Sequence, residues 1–168
     1  QITGMYATKN SLVVLKSRGV YLVKGNPSDG FHAETLSRDV GCIAPKSMAE
    51  IPGMGLAFLS NDGVWLLEGA LENTGSVTKL IHISTPIPNE IEQINLSAAV
   101  ASCATVYHRD KEFWLAVPYG DSEENNTLLV FHYEAASWSK RENFPVQCMV
   151  ETRDHRGYVY FGSNDASY

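Results

Sequence analysis

No run of apolar residues in this chain approaches the roughly 20 needed for a helix to span a bilayer. A membrane-crossing helix is therefore not expected. Gln1-Ile2-Thr3-Gly4 has neither the basic nor the apolar region of a signal peptide. Basic residues are in deficit, with 13 Lys and Arg against 19 Asp and Glu and a formal net charge of -6. Stable nucleic-acid binding normally rests on clustered Lys and Arg, so it is not expected either. The three cysteines, Cys42, Cys103 and Cys148, are widely spaced and form no CxxC pair. That argues against a zinc site and predicts buried free thiols in a reducing cytoplasm.

The motifs of catalysis are also missing. There is no GxSxG nucleophile turn and no HExxH metal helix. Gly53-Met54-Gly55 is not followed by Lys and Ser or Thr, so it reads as a turn and not as a phosphate cradle. The five histidines, His32, His82, His108, His132 and His155, fall on half-exposed strand and turn positions. Asp121 to Asn126 offers oxygen ligands without the order of a calcium loop, and reads as a solvated hairpin loop. Asn95-Leu96-Ser97 and Asn125-Asn126-Thr127 match glycosylation acceptors, a pattern that occurs often by chance. No cofactor, no metal and no enzymatic activity are expected.

Helix is scarce too. Ile87, Ile91 and Ile94 recur at helical spacing, and Asn89 is positioned to cap a helix of two turns at most. Leu96 to Ala104, rich in small residues, is ambiguous between helix and strand.

What the chain does contain is a repeated apolar hairpin. Leu56 to Ser60 and Val64 to Leu67 flank Asn61-Asp62-Gly63, where Asp-Gly is suited to the positive φ angles of a tight turn. Both runs are almost continuously apolar, which predicts cover on both faces. The same pattern stands 44 residues earlier: Leu12 falls on Leu56, Gly19 on Gly63 and Tyr21 on Trp65. A third hairpin is predicted at Thr105 to His108 and Phe113 to Val117, with Trp114 laid over Trp65. A fourth is predicted at Cys148 to Glu151 and Tyr158 to Gly162, turning at Asp154 to Gly157.

More polar strands follow the hairpins, at Phe31 to Leu36, Val77 to Ile83, Leu128 to Tyr133 and Ser137 to Lys140. The loops between them run from Gly25 to Gly30, from Gly69 to Gly75 and from Tyr119 to Asn126. A unit of about 45 residues with an apolar hairpin and outer strands is the plan of a β-propeller blade. The expectation is an all-β fold of propeller-like blades, one domain over residues 1–168. About four blades or more are needed to close a ring, so this is a partial or excerpted propeller. The start at Gln1 and the stop at Tyr168 suggest that both ends are cut from a longer polypeptide.

The residues expected to make turns and fill the space between blades are Gly19, Tyr21, Phe58, Asp62, Gly63, Trp65, Trp114, Trp138 and Gly157. For the aromatics, the competing reading is a carbohydrate-stacking surface. Ser60-Asn61-Asp62-Gly63-Val64-Trp65 invites comparison with the Asp-box of sialidase-type propellers, Ser-x-Asp-x-Gly-x-x-Trp. The spacing differs, and Asp62 reads as a turn former.

Three stretches together carry a family resemblance: Leu12 to Gly25, Val40-Gly41-Cys42-Ile43-Ala44-Pro45-Lys46-Ser47, and Leu59 to Trp65. Further along, Phe113 to Pro118 and Leu129 to Tyr133 with Trp138 extend it, so that it covers roughly Ile2 to Phe161. The chain resembles the propeller part of bacteriophage tail proteins, specifically the tail nozzle or tail tubular protein B group. Members of that group are much longer, so the resemblance implies an excerpt or a smaller tail component. It also implies a non-enzymatic virion protein, assembled in the host cytoplasm as a ring of identical copies, with sixfold symmetry for a nozzle. Its partners would be other copies of itself and neighbouring tail proteins, with genomic DNA passing transiently. An acidic chain suits such a passage, because a Lys- and Arg-rich lumen would grip phosphates. The alternative, from the residues alone, is a propeller that binds or cleaves host-surface glycans.

Overall fold

The computed structural model describes residues 1–8, 11–69, 79–152 and 157–163. The fold is all-β, and its described strands form four antiparallel sheets in chain order. The first sheet holds β1 (Ile2–Ala7), β2 (Ser11–Lys16), β3 (Gly19–Asn26) and β4 (Gly30–Ser37). The second holds β5 (Ala49–Ile51), β6 (Gly55–Ser60), β7 (Gly63–Glu68) and β8 (Lys79–His82). The third holds β9 (Cys103–Tyr107), β10 (Glu112–Val117), β11 (Thr127–His132) and β12 (Ser137–Glu142). The fourth is the pair β13 (Cys148–Glu151) and β14 (Val159–Gly162). Each of the first three is a simple meander, every strand bonded to the next in sequence. That is the strand plan of a blade.

The sheets stack face to face, and alternation of side chains sorts the core into three layers. Val13, Leu15, Val20 and Leu22 of the first sheet meet Leu56, Phe58 and Leu67 of the second. The opposite face of the second sheet, Ala57, Leu59, Val64 and Leu66, meets Phe113, Leu115, Leu129 and Phe131 of the third. The third sheet turns Trp114, Ala116, Leu128 and Val130 towards Met149 and Val159 of the fourth. Strands β6, β7, β10 and β11 thus have neighbours on both faces, which is why their sequences do not alternate. Burying one such Leu or Phe side chain is worth about 1.5–3 kcal/mol, an upper bound if the unfolded chain is itself compact. The outermost strands β4 and β12 are mostly exposed.

The segment between the first two sheets is buried at Gly41, Cys42, Ala44 and Ser47. Gly41 has no room for a side chain: a Cβ there would lie 2.2 Å from the Lys16 carbonyl oxygen. That close approach lets Cys42 N–H donate to the same carbonyl at 2.9 Å. Ser47 Oγ donates to the Ala44 carbonyl at 2.7 Å and accepts the Leu59 N–H at 3.0 Å. The motif Gly41 to Ser47 therefore clips the end of β2 in the first sheet to β6 in the second.

Several expectations need correction. The third hairpin exists, but β9 and β10 are strands one and two of their sheet, whereas β2–β3 and β6–β7 are strands two and three. Trp114 is therefore no counterpart of Trp65; it sits at the position of Ala57 and faces the fourth sheet. The reason is physical. In a sheet covered on both faces every central strand reads as apolar, so neighbouring hairpins look alike. Spacing also misleads, because the 44 residues from β6 back to β2 become 57 from β6 to β10. The excess is an insertion carrying α1 (Pro88–Glu92) and a 3-10 turn at Ala99–Ala101. From β10 to β14 the spacing returns to 47.

Asn89 does not cap α1. Ile87 holds the N-cap position without a side-chain bond, and Pro88 starts the helix, where its fixed φ and missing N–H cost nothing. In the β6–β7 turn the positive φ lies on Gly63 alone, at 134°, and on neither Asn61 nor Asp62. The turn is therefore not the form that needs two left-handed central residues. Gly157, at φ 57°, is the counterpart of Lys111, at φ 61°, in the β9–β10 turn, and not of Gly63. The remainder of the predicted fourth turn, residues 153–156, lies outside the described residues, as do Val77, Thr78 and residues 70–75 of a predicted loop. Strands β1 and β5 were not anticipated. The first carries Gly4 and an irregular register, and the second is three residues long.

The loop Asp121 to Asn126 is not simply solvated. Asn125 is 1% exposed, and its Nδ2 donates to the carbonyls of Ala101 and Val146 at 2.8 Å each. Its amide is thereby withdrawn from glycosylation. Of the thiols, Cys42 and Cys103 are buried, but Cys148 is exposed.

Candidate functional site

The first strand of every sheet borders one cavity of about 1000 Å³. Tyr6 comes from β1, Glu50 from β5, Thr105 from β9 and Glu151 from β13, with His108 and Arg109 from the turn after β9. Stacked meanders bring their first strands side by side, so residues one repeat apart become neighbours. Tyr6 Oη donates to Glu50 Oε2, 44 positions on in the chain. Glu151 accepts the His108 backbone N–H at 2.8 Å and also meets the His108 ring at Nδ1, across 43 positions.

Partial burial and the adjoining Glu50 carboxylate push the Tyr6 phenol up to about 12, so it is a hydrogen-bond donor at any physiological pH. Both carboxylates are engaged by protein groups. Arg109 pairs with Asp110 at 3.2 Å and lies over the Tyr107 ring. The cavity thus offers hydrogen-bonding groups of both kinds around an open centre, chemistry suited to hydroxyl-rich ligands. Among the described residues, no three His, Cys, Asp or Glu side chains gather as a metal site would require.

A second polar cluster ties the insertion to the third sheet. Tyr119 Oη donates to Glu90 at 2.5 Å, and Lys140 Nζ reaches Glu90 at 3.0 Å and Glu142 at 2.9 Å. The Tyr119 hydrogen bond, then Lys140, hold the Glu90 carboxyl below its usual range.

Of the nine residues singled out from the sequence, Gly157 alone borders the cavity. Phe58 is fully buried between the first two sheets, with Trp65 at the margin of that layer. Trp65 Nε1 donates to Asp62 at 2.8 Å and its ring stacks on His82 at 4.7 Å. Gly63 lies against His82 and Ser84, where a Cβ would come within 2.3 Å of Ser84 Oγ. Trp138 donates to the Ile83 carbonyl at 3.0 Å and packs on Phe131. Trp114 donates to Glu112 at 2.7 Å under Arg141. Gly19 makes room for the Tyr21 ring, but Tyr21 lies outside all three core layers, on the uncovered face of the first sheet with Lys16 above it.

Sequence reasoning missed Tyr6, Glu50, His108, Arg109 and Glu151 as a group. The usable signal was the repeat period itself: polar residues one period apart on first strands face each other. Searched against models of known protein families and against curated proteins, the chain finds no match.

Proposed function

We propose that this chain is a non-enzymatic building block of a bacteriophage tail, an arc of β-propeller blades in a nozzle, hub or tip. The observation that supports this reading is the stack itself: blade-like meanders in series, with exposed apolar side chains, Met5 and Phe31 on the first sheet and Val150 and Tyr160 on the fourth, on faces that no described sheet covers. Large exposed apolar patches mark surfaces made for association, as a component of a ring or hub requires. The resemblance in Leu12 to Gly25 and Gly41 to Ser47 supplies the setting, a virion tail with copies of the chain and other tail proteins as partners. The acidic balance suits a part past which DNA slides without being held. Mass spectrometry and immunogold labelling of gradient-purified particles test it. The chain is expected at the tail in a fixed ratio to other tail proteins, and particles that infect without it would overturn the reading.

The cavity favours one second reading, a propeller that binds or cleaves host-surface glycans. Glu50, Glu151, Arg109 and Tyr6 at one opening supply the hydrogen-bonding groups such a ligand needs. A glycan array and a hydrolysis assay distinguish the two. Turnover that disappears in Glu151→Gln would replace the structural reading.

A further inference from the structure

The connection between the second and third sheets is longer than stacking needs. Five residues, 143–147, carry the chain from β12 to β13, whereas twenty, 83–102, carry it from β8 to β9. The extra length is firmly placed. Asn95 N–H donates to the Pro118 carbonyl at 2.9 Å, and Gly120 N–H donates to the Gln93 carbonyl at 2.8 Å. Asn95 Nδ2 donates to the Ser122 carbonyl at 3.0 Å. Asn125, further along the same loop, holds the Ala101 carbonyl. A segment anchored at so many points loses little further freedom when a partner binds it.

Its apolar residues divide into two sets. Ile91, Ile94 and Ala99 pack into the layer between the second and third sheets. Leu96 and Val100 are 52% and 64% exposed and belong to none of the three core layers. The N–H groups of Ala98, Ala99, Ala101 and Ser102 each donate to the carbonyl three residues back, which winds this stretch and sets Leu96 and Val100 about one turn apart. Acidic residues flank the Leu96 end. Glu92 closes α1, and Asp121 and Glu123 stand on the loop to which Asn95 is bonded. All three are exposed, and none forms an ion pair among the described residues. Lys140 is already engaged by Glu90 and Glu142. Lys46 stands at the other end, on the turn Pro45–Ser47 that touches Ala99–Ala101.

We propose that Leu96 and Val100, with the carboxylates of Glu92, Asp121 and Glu123 beside them, form a docking surface for a basic segment of another protein, one that presents an apolar side chain between lysines or arginines. The apolar pair supplies the contact that water leaves. The acids select a partner of opposite sign and speed its approach. Both sheets joined here have a neighbour on each face within residues 1–168. The surface is therefore not an end of the stack, and sheets added to either end would not reach it. The inference does not rest on the tail reading.

A random library of peptides about a dozen residues long, selected on the whole folded chain, tests it. Peptides that also bind the double variant Leu96→Ser, Val100→Ser are subtracted. Those that remain are expected to carry Lys or Arg around a Leu, Ile or Phe. The commonest of them, synthesised with a fluorescent label, should bind the double variant at least about tenfold more weakly. Asp121→Asn with Glu123→Gln leaves the apolar pair intact and should weaken binding about threefold at low salt, a difference that disappears at about 0.5 M salt. Circular dichroism checks folding; should the serine pair fail, Leu96→Ala with Val100→Ala gives the same comparison. No peptide surviving the subtraction would overturn the proposal, as would survivors that are acidic or uncharged, or binding that the two charge substitutions leave unchanged. Self-association of the chain that the double variant abolishes would make the occupant a second copy, and would overturn it too.

Discussion

The two faces that share a sequence pattern have opposite surroundings. Phe58, on the second sheet, is fully buried under the first sheet, while its counterpart Val14 is half-exposed. Trp65 is packed at the margin of the same layer, and its counterpart Tyr21 has Lys16 over its ring. The side chains on the two faces are of one kind, and the strands beneath them pair in the same order. What differs is whether a neighbouring sheet lies above. Cover is thus a property of the stack, and the same local pattern serves as core in one place and as surface in another.

The comparison breaks most sharply under truncation. Phe58→Ala should cost about 3–5 kcal/mol in equilibrium denaturation, the usual range for emptying a fully buried aromatic site. Val14→Ala should cost under about 1 kcal/mol in dilute solution, since much of that side chain already meets water. A large loss at Val14 under dilute conditions would mean that its face is covered in the single chain.

The turn glycines extend the test. Gly63→Val forces a branched side chain into positive φ and against Ser84 and His82, and should cost about 3 kcal/mol. At Gly19 the clash is with the Tyr21 ring, the free end of a side chain on an uncovered face. Gly19→Ala should cost under about 1 kcal/mol, since that ring can swing aside. Thermal unfolding of the pair would show the gap, and equal losses would contradict the difference in cover.

Thiol labelling reads the same contrast as rates. Cys148 should react with a thiol reagent in the folded protein, while Cys42 and Cys103 react only on unfolding. Burial pushes Cys103 up to about 11 and also raises Cys42, which slows their reaction further.

The smallest effect concerns pH. The Glu90 carboxyl is lowered by Tyr119 and Lys140, so its contribution is present above the ordinary carboxylate range and is lost as pH falls through its lowered folded value. Glu90→Gln should flatten the acid side of the stability profile slightly and leave neutral behaviour little changed. Glu90 is a third exposed, and a large change would mean that the cluster is drier than its geometry indicates.

Much of this architecture was legible in the residues. The all-β class, the hairpins β2–β3 and β6–β7 and the exposed outer strand β4 follow from local signals: unbroken apolar runs, turn residues and a constant offset. Phe58 lies between the first two sheets, and Trp138 packs against the layer between the second and third. The cavity residues were not legible. Tyr6 and Glu50 look like ordinary polar positions on two unremarked strands, and their hydrogen bond appears once β1 and β5 lie side by side. His108 and Glu151 meet for the same reason.

By itself, then, the sequence determined the all-β class and the apolar hairpins of the first two sheets, because burial leaves a mark that each strand carries alone. The tertiary structure decided which strand comes first in each sheet, which residues one period apart meet at the cavity, and which apolar face is covered. Those outcomes depend on where a neighbouring sheet lies, and a strand's own residues do not say which segment, tens of residues away, supplies that neighbour.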